Sequence, residues 1–273
     1  MNAKPFLKWA GGKSQLLRQF EEHFPPKFNN YIEPFVGGGA VFFHLFNTSR
    51  LDKRRKAILI DANEELINTY NVIRNHSKPL INLLQNNGFI NQKEIFLKIR
   101  KNIPMDSIER AARIIYLNKT CYNGLYRVNK KNEFNAPFGR YKNPTICDAP
   151  NLLAVSTALK YAKVFEDNFA ACLKYAQKGD FIYFDPPYQP ISDTSSFTNY
   201  TKYSFSLEDQ KKLALVFGEL ADRGCHVMLS NSNHSEIRNL YNRFNVSIVK
   251  ARRQINCKTT GRGAIGELVI TNY

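Results

Sequence analysis

A carboxylate, two prolines and a tyrosine, Asp185-Pro186-Pro187-Tyr188, follow the apolar run Phe181–Phe184. These residue types suit the alkylation of an exocyclic amino nitrogen on an aromatic ring. Such a nitrogen is conjugated with its ring, so its lone pair is a poor nucleophile. A carboxylate accepting one N–H and a backbone carbonyl accepting the other can hold the nitrogen as it pyramidalises. Asp185 and the carbonyl of Pro186 are placed for those two tasks, and the prolines fix the direction of the carbonyl. Tyr188 offers a ring face on which a base turned out of a duplex can stack. This chemistry needs no metal. The bare tetrapeptide suits an ordinary Asp-Pro turn equally well, so it gains meaning only beside a second constellation.

That second constellation is Glu33-Pro34-Phe35-Val36-Gly37-Gly38-Gly39-Ala40, in which glycines let the backbone approach a ligand closely. Asp61 lies 24 positions beyond Gly37 and ends the next apolar segment, "KAILIDAN". A carboxylate there can bond both ribose hydroxyls of an adenosine. Two other nucleotide motifs fit less well. The third glycine of a dinucleotide fingerprint is replaced by Phe42, and a P-loop ending in Gly12-Lys13-Ser14 would need glycine where Leu7 stands.

These groups must be brought together by a sheet. Tyr31–Phe35 reads as a short strand, the glycine turn leads into a helix from Val41, and a second strand ends at Asp61, which makes a βαβ unit. "AKVFEDNF" near Lys163 and Phe181–Phe184 are further strands. The second of these must stop at Asp185, because Pro186 and Pro187 cannot continue a central strand. Ser206 opens a helix with Asp209 at the third position of a capping box and Gly224 as its stop. "CHVMLSNS" is another strand, and "FNVSIVKARRQI" with "GELVITNY" reads as a final antiparallel pair. Between about Glu64 and Asp148 the β-α alternation lapses. Helical patterns occur at Glu65–Ile73 and Ser107–Asn118, followed by the Asn-rich, aromatic stretch Cys121–Pro144. The pattern predicts an α/β fold interrupted by a helical insertion.

The chain has 273 residues with 39 Lys+Arg against 23 Asp+Glu, a net charge of +16 that makes nucleic acid the first partner to consider. The charge is concentrated. Residues 93–143 hold twelve basic and four acidic side chains, and residues 250–262 hold five basic and none acidic. Concentration of this kind suits an electrostatic footprint better than an evenly solvated surface. The five cysteines, Cys121, Cys147, Cys172, Cys225 and Cys257, form no C-x-x-C pair, which argues against a structural zinc site and suits a reducing cytoplasm. No run approaches the roughly 18 apolar residues of a membrane helix, and the start of the chain has no secretory pattern.

Taken in order, "FLKWAGGK" (6–13), "EPFVGGGA" (33–40), "DAN" (61–63), "YNGLYRVN" (122–129), "FNAPFGRYKNP" (134–144) and "DPPY" (185–188) resemble the Dam-type DNA adenine-N6 methyltransferases along nearly the whole chain. The resemblance implies a Rossmann-like class I methyltransferase sheet formed by residues 1–63 and 149–273, with a small helical target-recognition domain, 64–148, inserted in it. It implies S-adenosylmethionine as cofactor, S-adenosylhomocysteine as product, no metal, and duplex DNA as partner with GATC as target. Trp9, Ala10, Gly11 and Lys13 match the N-terminal cofactor motif. Phe35, Gly37 and Gly39 match the glycine loop, Asp61 the ribose acid, Asp167 and Phe169 the adenine contacts, and Asp185, Pro186, Pro187 and Tyr188 the catalytic motif. Lys8, Tyr122, Asn123, Leu125, Arg127, Pro137 and Arg140 match positions that contact or wedge into the target site. Lys130 and Lys131 suit phosphate contacts, and Asn199, Tyr200 and Thr201 suit a loop that orders on DNA. Two rivals share some of these features. A cytosine-N4 methyltransferase uses the same amino-nitrogen logic but is disfavoured by Asp rather than Ser at position 185, and a catalytically idle DNA-binding protein is disfavoured by the intact carboxylate and glycine loop. Nothing in the chain implies an oligomer, and it leaves open a role in restriction–modification or in genome maintenance.

Overall fold

The computed structural model describes residues 2–86, 88–129, 131–188, 205–252 and 264–273. Seven strands form one sheet: β1 (Tyr31–Glu33), β2 (Ala57–Asp61), β3 (Ala162–Glu166), β4 (Phe181–Phe184), β5 (His226–Ser232), β6 (Asn245–Arg252) and β7 (Ala264–Thr271). Their order is β3-β2-β1-β4-β5-β7-β6. The pairings among β1–β5 are parallel, whereas β7 runs antiparallel to both β5 and β6. This is the Rossmann-like α/β sheet that the strand pattern predicts. The chain leaves β1 toward β2 on one side and returns later to β4 on the other. The segments after β1 and β4 therefore diverge at the carboxyl edge, which opens the crevice where such sheets hold ligands.

Strand limits follow from local chemistry. β1 ends at Glu33, two residues short of the sequence expectation, because Pro34 has no N–H for the ladder. β4 occupies Phe181–Phe184, and all four residues are buried. Side chains alternate across the sheet: Tyr31, Phe181 and Tyr183 enter one hydrophobic cluster, and Ile32, Ile182 and Phe184 enter the other. Both faces are covered, which is why these strands read as continuous apolar runs.

Helix α1 (Leu17–Phe20) is a single turn, and α2 (Ala40–Asn47) starts directly from the glycine turn. α3 (Glu64–Asn86) breaks at His76, whose φ is −133°, and Pro79 then falls in the first turn of the second half, where its missing N–H costs least. α4 (Lys93–Lys101) and α5 (Ser107–Thr120) follow, with Asp106 capping α5 by accepting from the N–H groups of Ile108 and Glu109. α6 (Ala149–Leu159) returns the chain to β3. Ile114 and Tyr116 of α5 share one buried cluster with Ala57 and Leu59 of β2, so the helices of the insert rest on the core of the sheet. α7 (Leu207–Asp222) has the full capping box of Ser206 and Asp209, and Gly224 ends its turn at φ +78°. α8 (Ser235–Leu240) lies between β5 and β6. Among the described helices, none is long and apolar enough to cross a membrane.

The Asn-rich stretch after α5 is a two-armed hairpin, with antiparallel bridges Cys121–Phe138 and Val128–Phe134. Its tip is built by Asn129, whose side-chain oxygen accepts from the N–H groups of Lys131 (2.9 Å) and Glu133 (3.0 Å). Strand alternation is nearly absent from these arms, and the sequence pattern therefore shows no β structure here.

Candidate active site and nucleic-acid interface

After β1 the backbone turns through Gly37 (φ +45°) and Gly39 (φ +70°), a left-handed region that costs glycine little. The turn is pinned to the end of β2. The Val36 N–H donates to the Ile60 carbonyl (3.0 Å), and the Gly37 N–H donates to Asp61 Oδ2 (3.0 Å). Tyr70 of α3 donates its hydroxyl to the Gly37 carbonyl at 3.0 Å. A Cβ on Gly37 would lie 2.7 Å from Trp9 Cδ1, so the turn passes directly beneath the indole. Trp9 in turn stacks on Tyr126 of the hairpin, with centroids 5.2 Å apart. The N-terminal segment is thus clamped between the glycine turn and the hairpin.

Asp61 also accepts from the Asn63 N–H at 3.0 Å. Burial pushes its carboxyl up to about 6, against the pull of the N–H groups of Gly37, Asn63 and Ala62. At the end of β3, the Asp167 N–H donates to the Asp61 carbonyl (3.3 Å), and Asn168 caps the following 3-10 turn through the Ala170 N–H (3.0 Å). Phe169 stacks on Phe35 at 5.5 Å, and Phe205 meets both rings edge-on at 5.9 and 5.7 Å. The structure thus gathers Trp9, Phe35, Gly37, Gly39, Asp61, Asp167 and Phe169 around one crevice. Phe205 joins them from a segment that sequence reasoning did not single out.

Across the crevice, Asp185 sits at the end of β4. Its Oδ1 lies 2.7 Å from the Lys13 ammonium and accepts the Ser230 hydroxyl at 3.0 Å. Ser230 shares a 2.8 Å hydrogen bond with the Tyr183 hydroxyl. Burial raises the Asp185 carboxyl above the usual carboxylate range, while Lys13 and Ser230 pull it back. Lys13, which the motif groups with Trp9, Ala10 and Gly11, also donates to the Gly11 carbonyl (2.6 Å) and lies 4.7 Å from the centroid of the Tyr188 ring. Gly11 takes φ +75°, which turns its carbonyl back to that ammonium. The ammonium therefore touches a carboxylate, a carbonyl and a ring face at once.

The proline pair is held from behind. Gln210 of α7 donates to the Pro187 carbonyl (3.4 Å) and accepts from the buried Asn231 of β5 (3.0 Å). Among the described residues, no donor is directed at the Pro186 carbonyl. The Tyr188 hydroxyl donates to Glu267 Oε2 at 2.7 Å. Sequence reasoning missed Ser230, Gln210, Asn231 and Glu267. Ser230, Asn231 and Glu267 are polar residues in largely apolar strands, the one signal that marks them, whereas nothing marks Gln210 among the charged residues of α7.

The hairpin carries most of the residues matched to DNA contact. Asn123 (φ +57°) and Gly124 (φ +64°) form a left-handed Asn-Gly turn. Buried Asn118 ties that turn to the N-terminal segment: its amide donates to the carbonyls of Gly124 and Lys8, and its oxygen accepts the Lys8 N–H, each at 2.9 Å. The Lys8 side chain runs over Gly124, where a Cβ would lie 2.8 Å from Lys8 Cδ. Tyr122 is 55% exposed, and its N–H donates to the Pro137 carbonyl at 2.8 Å. The Leu125 carbonyl accepts from the Cys121 thiol. Arg127 crosses the hairpin and donates to Asn135 Oδ1 (2.8 Å) and to the Asn135 carbonyl (3.0 Å). Arg140 is exposed at φ +53°. Beside them, Lys8, Lys119, Tyr141 and Lys142 line a groove of about 460 Å³. Lys131 is exposed at the hairpin tip, whereas Lys130 and the stretch with Asn199, Tyr200 and Thr201 lie outside the described residues.

Residues 9–255 match the family described as D12 class N6 adenine-specific DNA methyltransferase. The chain is 47% identical to the type II methyltransferase M.MjaIII of Methanocaldococcus jannaschii, and the match covers all of both chains. It is 44% identical to the type II methyltransferase M1.LlaDCHI of Lactococcus lactis subsp. cremoris, over all of this chain and 96% of the relative. It is 36% identical to the DNA adenine methylase of Escherichia coli strain K12, over 97% of this chain and 94% of the relative.

Proposed function

The chain belongs to the D12 class of N6 adenine-specific DNA methyltransferases, and from that premise we propose that it methylates the adenine of duplex GATC sites with S-adenosylmethionine as donor. The observation that supports this reading is that Asp185 and Tyr188 follow β4, the strand next to β1, after which the glycine turn is pinned to Asp61. The residues at the crevice suit the donor. Gly37 and Gly39 let the turn pack against Trp9 and Tyr70, and Asp61 offers a carboxylate to ribose hydroxyls. When bound, S-adenosylmethionine supplies an electrophilic methyl group and leaves as S-adenosylhomocysteine.

The remaining work falls to the chain. The target adenine turns out of the duplex and lies on the Tyr188 ring. Asp185 and the Pro186 carbonyl each accept one N6–H and favour the pyramidal nitrogen of the transition state. The new N–C bond leaves N6 with one proton too many, and Asp185 is the nearest base to receive it. Lys13 and Ser230 both engage Oδ1, so Oδ2 is the oxygen available to the amino N–H. Arg127 and Lys8 reach the outer base pairs, and the basic groove with Lys119 and Lys142 follows the phosphates. The two relatives named type II methyltransferases favour a modification partner of a restriction enzyme over genome maintenance. The test is to map methylated bases on duplex DNA incubated with the protein and S-adenosylmethionine. N6-methyladenine confined to GATC is expected, and methylation at another motif would overturn the site assignment.

A further inference from the structure

Tyr188 is fixed at both ends. Its backbone continues the Pro186-Pro187 pair, and its hydroxyl is bound 79 residues away by Glu267 at 2.7 Å. Glu267 is itself rigidly placed, since β7 is paired on both sides there, with Ser232 of β5 and Val249 of β6 in register. A phenol ring tied at its Cβ and at its oxygen has a fixed axis. The Lys13 ammonium, 4.7 Å from the ring centroid, restricts what rotation about that axis remains. A carboxylate at a half-buried strand position costs desolvation that a neutral side chain would avoid. Two groups answer for its presence there: the Lys13 ammonium, whose charge offsets that cost most, and the Tyr188 hydroxyl, which donates to it directly.

We infer that Glu267 is a positioning residue for methyl transfer: by accepting the Tyr188 hydroxyl it holds the ring as the platform on which the target base lies. This role rests on the proposed function of Tyr188. It acts on the geometry of the base rather than on the reacting atoms, so its loss should reduce turnover while leaving binding of DNA and cofactor in place.

The experiment compares wild type, Glu267→Gln, Glu267→Ala, Tyr188→Phe and the Tyr188→Phe/Glu267→Ala double variant. Each is assayed for kcat and KM on duplex GATC DNA, and for the emission of 2-aminopurine placed at the target adenine. Glu267→Ala should lower kcat by about 10- to 100-fold, with the KM for DNA and for cofactor within about twofold and with altered 2-aminopurine emission. Glu267→Gln keeps a carbonyl acceptor and should stay within about threefold of wild type. The double variant should be no slower than Tyr188→Phe, because both changes remove the same hydrogen bond. If Glu267→Ala does not fold, Glu267→Met, which keeps bulk without an acceptor, replaces it. Multiplying losses in the double variant, a Gln variant as slow as the Ala variant, or a fully active Ala variant would overturn the role while leaving the methyltransferase reading intact. A wild-type protein that leaves adenine unmethylated would overturn that reading, and the role with it.

Discussion

At the scale of single residues, two half-buried carboxylates stand at the ends of β2 and β4, on either side of β1, and their surroundings set different pH behaviour. Burial raises Asp185, and Lys13 is the largest influence in the other direction. Asp185 must be ionised to accept the amino N–H, so kcat falls as pH drops through its pKa. Removing the ammonium lets that pKa rise further. Lys13→Ala should therefore move the acidic limb of the kcat–pH profile to higher pH, and an unmoved limb would show that Lys13 does not keep Asp185 charged. Asp61, which burial holds at about 6, behaves differently. Donor hydroxyls on a bound ribose favour its ionised form, so bound Asp61 has a lower pKa than free Asp61. Cofactor affinity should then be full above about pH 6 and weaken below it, and Asp61→Asn should flatten that dependence. Asp61→Ala should cost roughly 1.5–3 kcal/mol of cofactor affinity by calorimetry. Asp61, Asp185 and Tyr188 were legible in the sequence because a motif surrounds each of them. Glu267 and Ser230 were not, because they lie 79 and 45 residues from the groups they bind, and only sheet pairing brings them near.

At the scale of elements, β4 and α7 were readable to the residue. A proline pair breaks one, and a Ser-Asp capping box with a glycine stop frames the other. The hairpin after α5 was not readable as β structure, since side-chain hydrogen bonds to Asn129 and from Arg127 to Asn135 shape it in place of alternating apolar residues. α4 and α6 were also missed, although Ile95, Phe96 and Ile99 mark the first with a helical period. The hairpin is where specificity is to be tested. Arg127 is exposed, and its guanidinium donates to the side chain and the carbonyl of Asn135. Those bonds are weak enough to exchange for a fork onto guanine. Arg127→Ala should lose about 1–3 kcal/mol of discrimination at one outer base pair, read as kcat/KM on GATC against each single-base variant. An equal slowing on every site would make Arg127 a phosphate contact and move base reading to Arg140, Lys8 or Asn123.

At the scale of the whole molecule, the charge of +16 and the hydrophobic cluster that the insert shares with one face of the sheet belong to one design. The insert carries the basic groove, and its Tyr126 stacks on the Trp9 that covers the glycine turn. A protein of this charge releases many counterions on DNA, so affinity should fall steeply as salt rises. Lys131→Ala should reduce the log–log slope by about one if that residue neutralises a phosphate, with equal losses on GATC and random duplexes. On the proposed function, the whole arrangement serves the carboxylate at the end of β4. The most direct test is the single-turnover rate of methyl transfer by Asp185→Ala on duplex GATC DNA, with cofactor and DNA affinities measured in parallel. The account predicts a fall of about 10²–10³ or more with both affinities largely retained, and near-normal turnover would contradict it.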